Sequence, residues 1–478
     1  MQSTLSQYVY SNFQADLEKT SHKHPHLVRR EPNKTYRDEY ALSELMTISP
    51  ELYSQILEGW SRSYYTRDKH LEAILAYSHP NIHSASIDAH VYWQAINEVK
   101  KGLNSLPLVR AYDILSDLDK VSYKSSSAAG YDYIGAKGPY DGENHSRAIK
   151  RAKAILWSVV ENNTDGMTHA IETAVPDVGY TRTQLADLSE KTKVRSVWGR
   201  AFHYILLEGV VADPLLQAFT NSDTFYHIGQ DPLDSVPALL SKVAQNSKWI
   251  YALDWKQFDA TVSRFEINAA FDIIKSKVSF PNKETETAYE ISRQLFIHKK
   301  IAAPDGYIYW SHKGIPSGSY FTSVVGSIIN KLRINYLWLT LTGHLPKHCF
   351  TQGDDSLVGD DILLHPDKIG EVANRIGWYF NPEKTEYSTV PELVSFLGRT
   401  YQGGINTRNL TKCIRLLVFP EYPVTSGNIS AYRAKSIAED AGHLSDILNR
   451  IALKLERHYG IASDEDIPHY FKRYIHGM

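Results

Sequence analysis

Four aspartates stand where carboxylates can share a cation. Asp254 ends the apolar run Trp249-Ile250-Tyr251-Ala252-Leu253, the pattern of a buried strand, and Asp259 follows five residues later. Asp354 and Asp355 follow Gly353, between His348-Cys349-Phe350-Thr351-Gln352 and Ser356-Leu357-Val358, a strand–turn–strand pattern. Carboxylates at two strand ends can converge on hard cations, which prefer oxygen ligands. Two Mg2+ ions held there would activate an attacking hydroxyl and stabilise a departing pyrophosphate, which is the chemistry of nucleotidyl transfer. Taken singly, each aspartate is equally a turn or capping residue. Gly-Asp-Asp also occurs twice, at 353–355 and at 359–361. The first copy has a full strand before it and a returning strand after it, whereas the second follows only Ser356-Leu357-Val358. The first is therefore the expected one.

These residues need elements to place them. Apolar spacing predicts helices over 71–77, 91–103, 145–175 (one or two), 200–219, 265–278, 323–339 and 429–459. Tyr307-Ile308-Tyr309-Trp310 after Asp305-Gly306 predicts a hairpin. Ser317-Gly318 opens the 323–339 helix: the glycine allows a tight loop and the serine hydroxyl is a candidate cap. Strands and helices interleave without a strand–helix–strand period, so the fold class is α+β. Lys191-Thr192-Lys193-Val194-Arg195, with Arg200 nearby, reads as a basic strand face. The chain has 478 residues, 52 basic and 54 acidic, so its net charge of −2 excludes a uniformly basic surface but not a basic channel. Two cysteines, Cys349 and Cys413, exclude a disulfide framework, and the scattered histidines form no zinc pattern. No run of eighteen apolar residues predicts a membrane span, and residues 1–11 lack a signal pattern.

Three ordered segments carry a resemblance. Asp254-Trp255-Lys256-Gln257-Phe258-Asp259, then Gly314-Ile315-Pro316-Ser317-Gly318-Ser319-Tyr320-Phe321-Thr322 running to Asn330, then Gly353-Asp354-Asp355-Ser356, resemble the palm motifs of viral RNA-dependent RNA polymerases. The chain looks most like those of the partitivirus group of double-stranded RNA viruses. The resemblance implies a right hand of fingers, palm and thumb, its palm a small antiparallel sheet backed by helices. The implied division is an extension at 1–110 bridging fingers and thumb, fingers at 111–245, palm at 246–275, a fingers insertion at 276–313, palm at 314–400 and thumb at 401–478. Asp254, Asp354 and Asp355 would bind two Mg2+, with Mn2+ as a substitute. Asp259, Thr322 and Asn330 would read the ribose 2′-hydroxyl, although relatives often carry Asn where this chain has Gly326. Ser317 and Gly318 would contact template and nucleotide, and Lys191, Lys193 and Arg195 would bind the triphosphate. Lys384, in Asn381-Pro382-Glu383-Lys384, would protonate pyrophosphate. Phe396-Leu397-Gly398-Arg399 would grip the priming strand, and Ser127-Ala128-Ala129-Gly130-Tyr131 would guide template. The implied partners are RNA template and product, ribonucleoside triphosphates and a viral capsid protein, with no membrane, inside a virion or in host cytoplasm. Initiation without a primer is implied too. A reverse transcriptase is the rival reading, but it would place a bulky aromatic residue where Asp259 stands. The other rival, a decayed non-catalytic relative, conflicts with the intact Asp254, Asp354, Asp355 and Lys384.

Overall fold

The structure, a computed structural model, describes residues 8–25 and 35–472; residues 1–7, 26–34 and 473–478 lie outside the described residues, and with them the ends of both terminal segments. Its main strands in chain order are β1 (Leu17–Lys23), β2 (Asp177–Arg182), β3 (Arg195–Gly199), β4 (Trp249–Ala252), β5 (Lys299–Ala302), β6 (Tyr307–Ser311), β7 (His348–Gln352), β8 (Asp355–Asp360), β9 (Glu386–Ser388), β10 (Arg399–Gln402) and β11 (Ile405–Arg408). Around them lie helices α1 (Glu39–Ile48), α2 (Arg67–Leu75), α3 (Phe202–Thr220), α4 (Arg264–Lys275), α5 (Thr322–Thr342), α6 (Pro366–Ile376), α7 (Leu410–Val418), α8 (Gly427–Asp440) and α9 (Asp446–Tyr459).

A four-stranded antiparallel sheet, ordered β7-β8-β4-β9, forms the centre. In β8 only Asp355 is exposed, and every other residue is buried, as suits an inner strand. The pairing of β8 with β4 sets Val358 opposite Tyr251 and Asp360 opposite Trp249. Continued past the end of β4, that register brings Asp254 level with Asp355. The second Gly-Asp-Asp is then at the far end of β8, roughly 17 Å away at about 3.3 Å per residue.

Helix α5 backs this sheet and is buried over most of its length, as a helix with few charges must be. It stops at Gly343, whose φ of +78° is the left-handed cap that a side chain disfavours. Helix α4 starts in a capping box in which Ser263 and Glu266 satisfy each other's backbone N–H groups. Glu266 also receives Arg333 of α5 at 2.5 and 3.0 Å, and this buried pair locks α4 to α5.

A second, five-stranded sheet runs β1-β6-β5-β2-β3 and stands beside the first. The expected hairpin is β5 and β6. Residues 143–172 form two helices broken at Asn163, whose φ is 51°. The 429–459 stretch, read as continuous from its spacing, is also two helices, α8 and α9. Gly442 and His443, with φ of 70° and 58°, turn the chain between them, which apolar spacing alone does not reveal. Lys191 to Val194, expected in a strand, precede β3, which starts at Arg195. Helices α1, α7, α8 and α9 share a separate apolar core at the C-terminal end. The fold is α+β, a small antiparallel sheet backed by helices.

Candidate active site

Asp254, Asp354 and Asp355 meet at one end of the β4–β8 pair. Asp254 is fixed through its backbone: its N–H donates to Thr385 Oγ1 at 3.1 Å and its carbonyl accepts from Asn381 N–H at 2.9 Å. Burial raises its carboxyl above the usual range; Lys384 opposes this, Asp354 adds to it, and the Asn381 side chain lowers it by donating a hydrogen bond. Asp354 and Asp355 are accessible to water, yet protein surrounds them on most sides and strips part of their hydration. Asp355 is pushed up to about 6, by desolvation first and then by the charges of Asp354 and Asp254, with Lys412 of α7 opposing. These mutual shifts mark three like charges converging.

Asp259 lies on the one-turn helix Phe258–Thr261. Desolvation and then Asp354 push its carboxyl up to about 7, against the pull of Arg195. Arg195 also opposes the rise at Asp354. A cavity of about 550 Å³ is lined by Asp354, Asp259, Ser317, Lys193 and Arg195. Five sequence-predicted residues thus share one space. Lys191 is outside that lining and is paired with Glu72 at 2.9 Å, both side chains largely exposed.

The loop before α5 is tied to β3. Ser317 Oγ accepts from the Trp198 N–H at 2.9 Å, so it does not cap α5 as expected. A Cβ at Gly318 would stand 2.0 Å from the Trp198 carbonyl oxygen, so only glycine permits this approach. Thr322 Oγ1 donates to the Pro316 carbonyl at 2.6 Å, which commits its proton to the loop. Asn330 is fully buried and its amide is engaged at both ends (Trp255 Nε1 2.9 Å, Gly353 O 3.0 Å, Asp355 O 3.1 Å). In this arrangement its side-chain amide is committed to the palm motifs on either side of it. Arg399 likewise turns inward to Asp440 of α8 and joins β10 to the C-terminal helices.

Gly318 and Ser127 line a second cavity of about 1130 Å³, with Lys124, Lys137, Tyr123, Tyr320 and Tyr470. Sequence reasoning missed Arg182, which lines both cavities. Arg182 is opposite Arg195 in the β2–β3 register, so recognising that hairpin would have found it. It also missed Lys69 and Tyr77, which reach the first cavity from a distant segment, and Gln257, which lies inside the first motif.

Among the described residues no three His, Cys, Asp or Glu side chains stand close enough to form a metal cage as they are. The donor chemistry still fits hard divalent cations: three oxygen-only ligands converge, and burial first, with repulsion from Asp354 adding to it at Asp254 and Asp355, favours positive charge beside them. Among the described residues no helix is long and apolar enough to cross a membrane.

Comparison with known proteins agrees with this geometry. The profile of the viral RNA-dependent RNA polymerase family matches residues 36–456. The RNA-directed RNA polymerase of Cryptosporidium parvum virus 1 (strain KSU-1) is 30% identical over 161 residues, covering 31% of this chain and 30% of that protein. That of Atkinsonella hypoxylon virus (isolate 2H), a partitivirus, is 23% identical over 328 residues, 56% of this chain and 48% of that protein. The chain therefore spans about half the length, or less, of these curated relatives. The crystal structure of a human picobirnavirus RNA-dependent RNA polymerase superposes with a TM-score of 0.68 at 15% identity, covering 90% of this chain and 88% of that one, which establishes the shared fold. With the family profile spanning the whole lining of the first cavity and all three carboxylates, the chain belongs to the viral RNA-dependent RNA polymerases.

Proposed function

We propose that the protein is an RNA-directed RNA polymerase that transcribes and replicates a double-stranded RNA virus genome from ribonucleoside triphosphates. One observation carries the reading: Asp354 and Asp259 face the same cavity as Lys193 and Arg195, and Asp254 and Asp355 lie close enough to Asp354 to feel its charge. Carboxylates that favour divalent cations and basic groups that favour phosphates then address one ligand. Asp254 and Asp354, assisted by Asp355, would hold two Mg2+ ions, whose charge would favour hydroxyl attack on the α-phosphate and departure of pyrophosphate. Lys193 and Arg195 bind the triphosphate, and Asp259 accepts a hydrogen bond from the 2′-hydroxyl. Lys384 faces Asp254 and supplies a proton to the leaving group. Residues 246–275 and 314–400 act as palm, 111–245 and 276–313 as fingers, 401–478 as thumb, and 1–110 bridge fingers to thumb. Initiation needs no primer, and a capsid protein is the partner, in the virion interior or host cytoplasm.

The test is synthesis by the purified chain with an RNA template, four ribonucleotides and Mg2+. Asp354→Ala abolishes product while keeping the melting temperature. Asp360→Asn keeps most activity, because Asp360 serves the fold: it accepts from the Trp338 indole at 3.0 Å, buried at the opposite end of β8. No product from the wild type, or an active Asp354→Ala, overturns the reading.

A further inference from the structure

Gly326 of α5 faces the Gly353-Asp354-Asp355 turn, and Asn330 lies one turn beyond it. The packing of the catalytic turn explains the pair. A Cβ at Gly326 would already be in contact with the Gly353 Cα, at 3.7 Å, so the Gly353-Asp354-Asp355 turn rests against this face of α5. A branched amide at 326 would have to push the turn away. With the turn this close, the next polar residues along the face reach it. Ser327 Oγ accepts from the Gly353 N–H at 2.8 Å. The two N–H groups of the Asn330 amide donate to the Gly353 and Asp355 carbonyls at 3.0 and 3.1 Å. The carbonyls held are those on either side of Asp354. The Asn330 Oδ1 accepts from the indole of Trp255, the residue after Asp254, at 2.9 Å. Both Ser327 and Asn330 are fully buried.

We infer that Asn330, with Ser327, is a positioning clamp that sets the distance between Asp254 and the Asp354–Asp355 pair and so the spacing of the cation-binding carboxylates. The inference rests on the proposed polymerase reading. An amide is the side chain the geometry requires: two donors meet two carbonyls and one acceptor meets an indole N–H. An aspartate would set a carboxylate against two carbonyl oxygens, and an alanine would leave the buried Trp255 indole N–H and two part-buried carbonyls without these partners. Like charges that converge also repel, so the turn needs a rigid support if they are to stay within the narrow tolerance of such sites.

The experiment compares wild type, Asn330→Ala, Ser327→Ala and Asp259→Ala in single-nucleotide incorporation of matched ribo- and deoxyribonucleotides. In Asn330→Ala, kcat falls about tenfold or more while KM for the ribonucleotide and the ribo-to-deoxyribo ratio stay within about twofold of wild type. Asp259→Ala instead shrinks that ratio. A readout independent of turnover is Mn2+ titrated into the protein alone: the concentration that half-saturates its thermal stabilisation rises about fivefold or more in Asn330→Ala. Ser327→Ala removes a single bond to the turn and shows the same pattern in smaller measure, and it carries the test if Asn330→Ala does not fold. A collapsed sugar ratio in Asn330→Ala, or unchanged kcat and Mn2+ response in the folded variants, overturns the clamp. An inactive wild type overturns the polymerase reading instead.

Discussion

Arg195 is the one cation that opposes the rise at both Asp259 and Asp354, and it borders the cavity they share. Its role as a phosphate ligand follows from that placement, since a guanidinium between carboxylates has donors left for an anion. Arg195→Ala raises KM for ribonucleotides about tenfold, equivalent to ~1.4 kcal/mol, with a smaller change in kcat, and leaves template binding without nucleotide unchanged. Lys191→Ala, which only breaks an exposed pair with Glu72, changes KM less than twofold. Steady-state kinetics with each variant decides, and equal effects would remove the distinction drawn between the two residues. At this scale much of the site was legible in the sequence. A carboxylate after an apolar run, or in a turn between two short strands, announces its position by local pattern. Asn330 was not legible in the same way. Its side chain is committed to Trp255 and to a turn 23 and 25 residues further on, and spacing along one helix says nothing of either partner.

Elements repeat the contrast. Strand β4, the β7–β8 turn and helix α5 were readable because each buries apolar residues at its own period. The five-stranded sheet as a whole was not, because it joins three segments far apart in the chain, the β2–β3 and β5–β6 pairs and β1, and β1 joins it only through β6. The junction between that sheet and the loop before α5 holds a group no pattern advertised. Glu208 of α3 is buried, accepts from the Ser319 hydroxyl, and has Arg200 at 4.0 Å, with Asp177 of β2 adding negative charge nearby. Burial pushes its carboxyl from 4.5 up to about 7, Arg200 opposing. Between those values the folded chain keeps a proton that the unfolded chain has released. The contribution of Glu208 to stability is therefore whole below about 4.5 and is lost as pH rises towards about 7. Glu208→Gln keeps an acceptor for Ser319 and cannot titrate. The stability of wild type relative to this variant should fall by about 1 kcal/mol per pH unit across that window and level off above it. Urea unfolding of both proteins at pH 5, 6, 7 and 8 measures it, and a constant difference would show that Glu208 is ionised throughout.

In the whole molecule, strand β1, helix α1 and the residues at 60–62 reach both the five-stranded sheet and the C-terminal helices. Strand β1 pairs with β6 in the five-stranded sheet, while α1 packs in the core of α7, α8 and α9. Between them Arg62 donates to the Phe419 carbonyl at 2.8 Å and to the Thr183 carbonyl at 3.3 Å, and the Arg415 guanidinium lies 3.6 Å over the Trp60 ring. These contacts were not legible in the sequence, since no local pattern tells a helix near the N-terminus that its partners lie near the C-terminus. The fastening is a buried ion pair. Asp38 caps α1 by accepting from the Ala41 N–H at 3.1 Å, and also accepts from Arg433 Nη1 at 2.6 Å and from the Ser430 hydroxyl at 2.8 and 2.9 Å. Neither Asp38 nor Arg433 has appreciable exposure. Removing one partner of such a pair strands a charge in the interior, whereas removing both strands none. Arg433→Met should therefore cost about 3–5 kcal/mol, and the double variant Arg433→Met with Asp38→Asn should recover a substantial part of it. Because α1 and the C-terminal helices share a core separate from that of the palm, the loss should appear first there: a lower-temperature calorimetric transition, with early proteolytic cutting near residues 35–38, while the sheet bearing Asp254 and Asp354 melts as before. A single transition shifted as one unit would mean that the two cores unfold together.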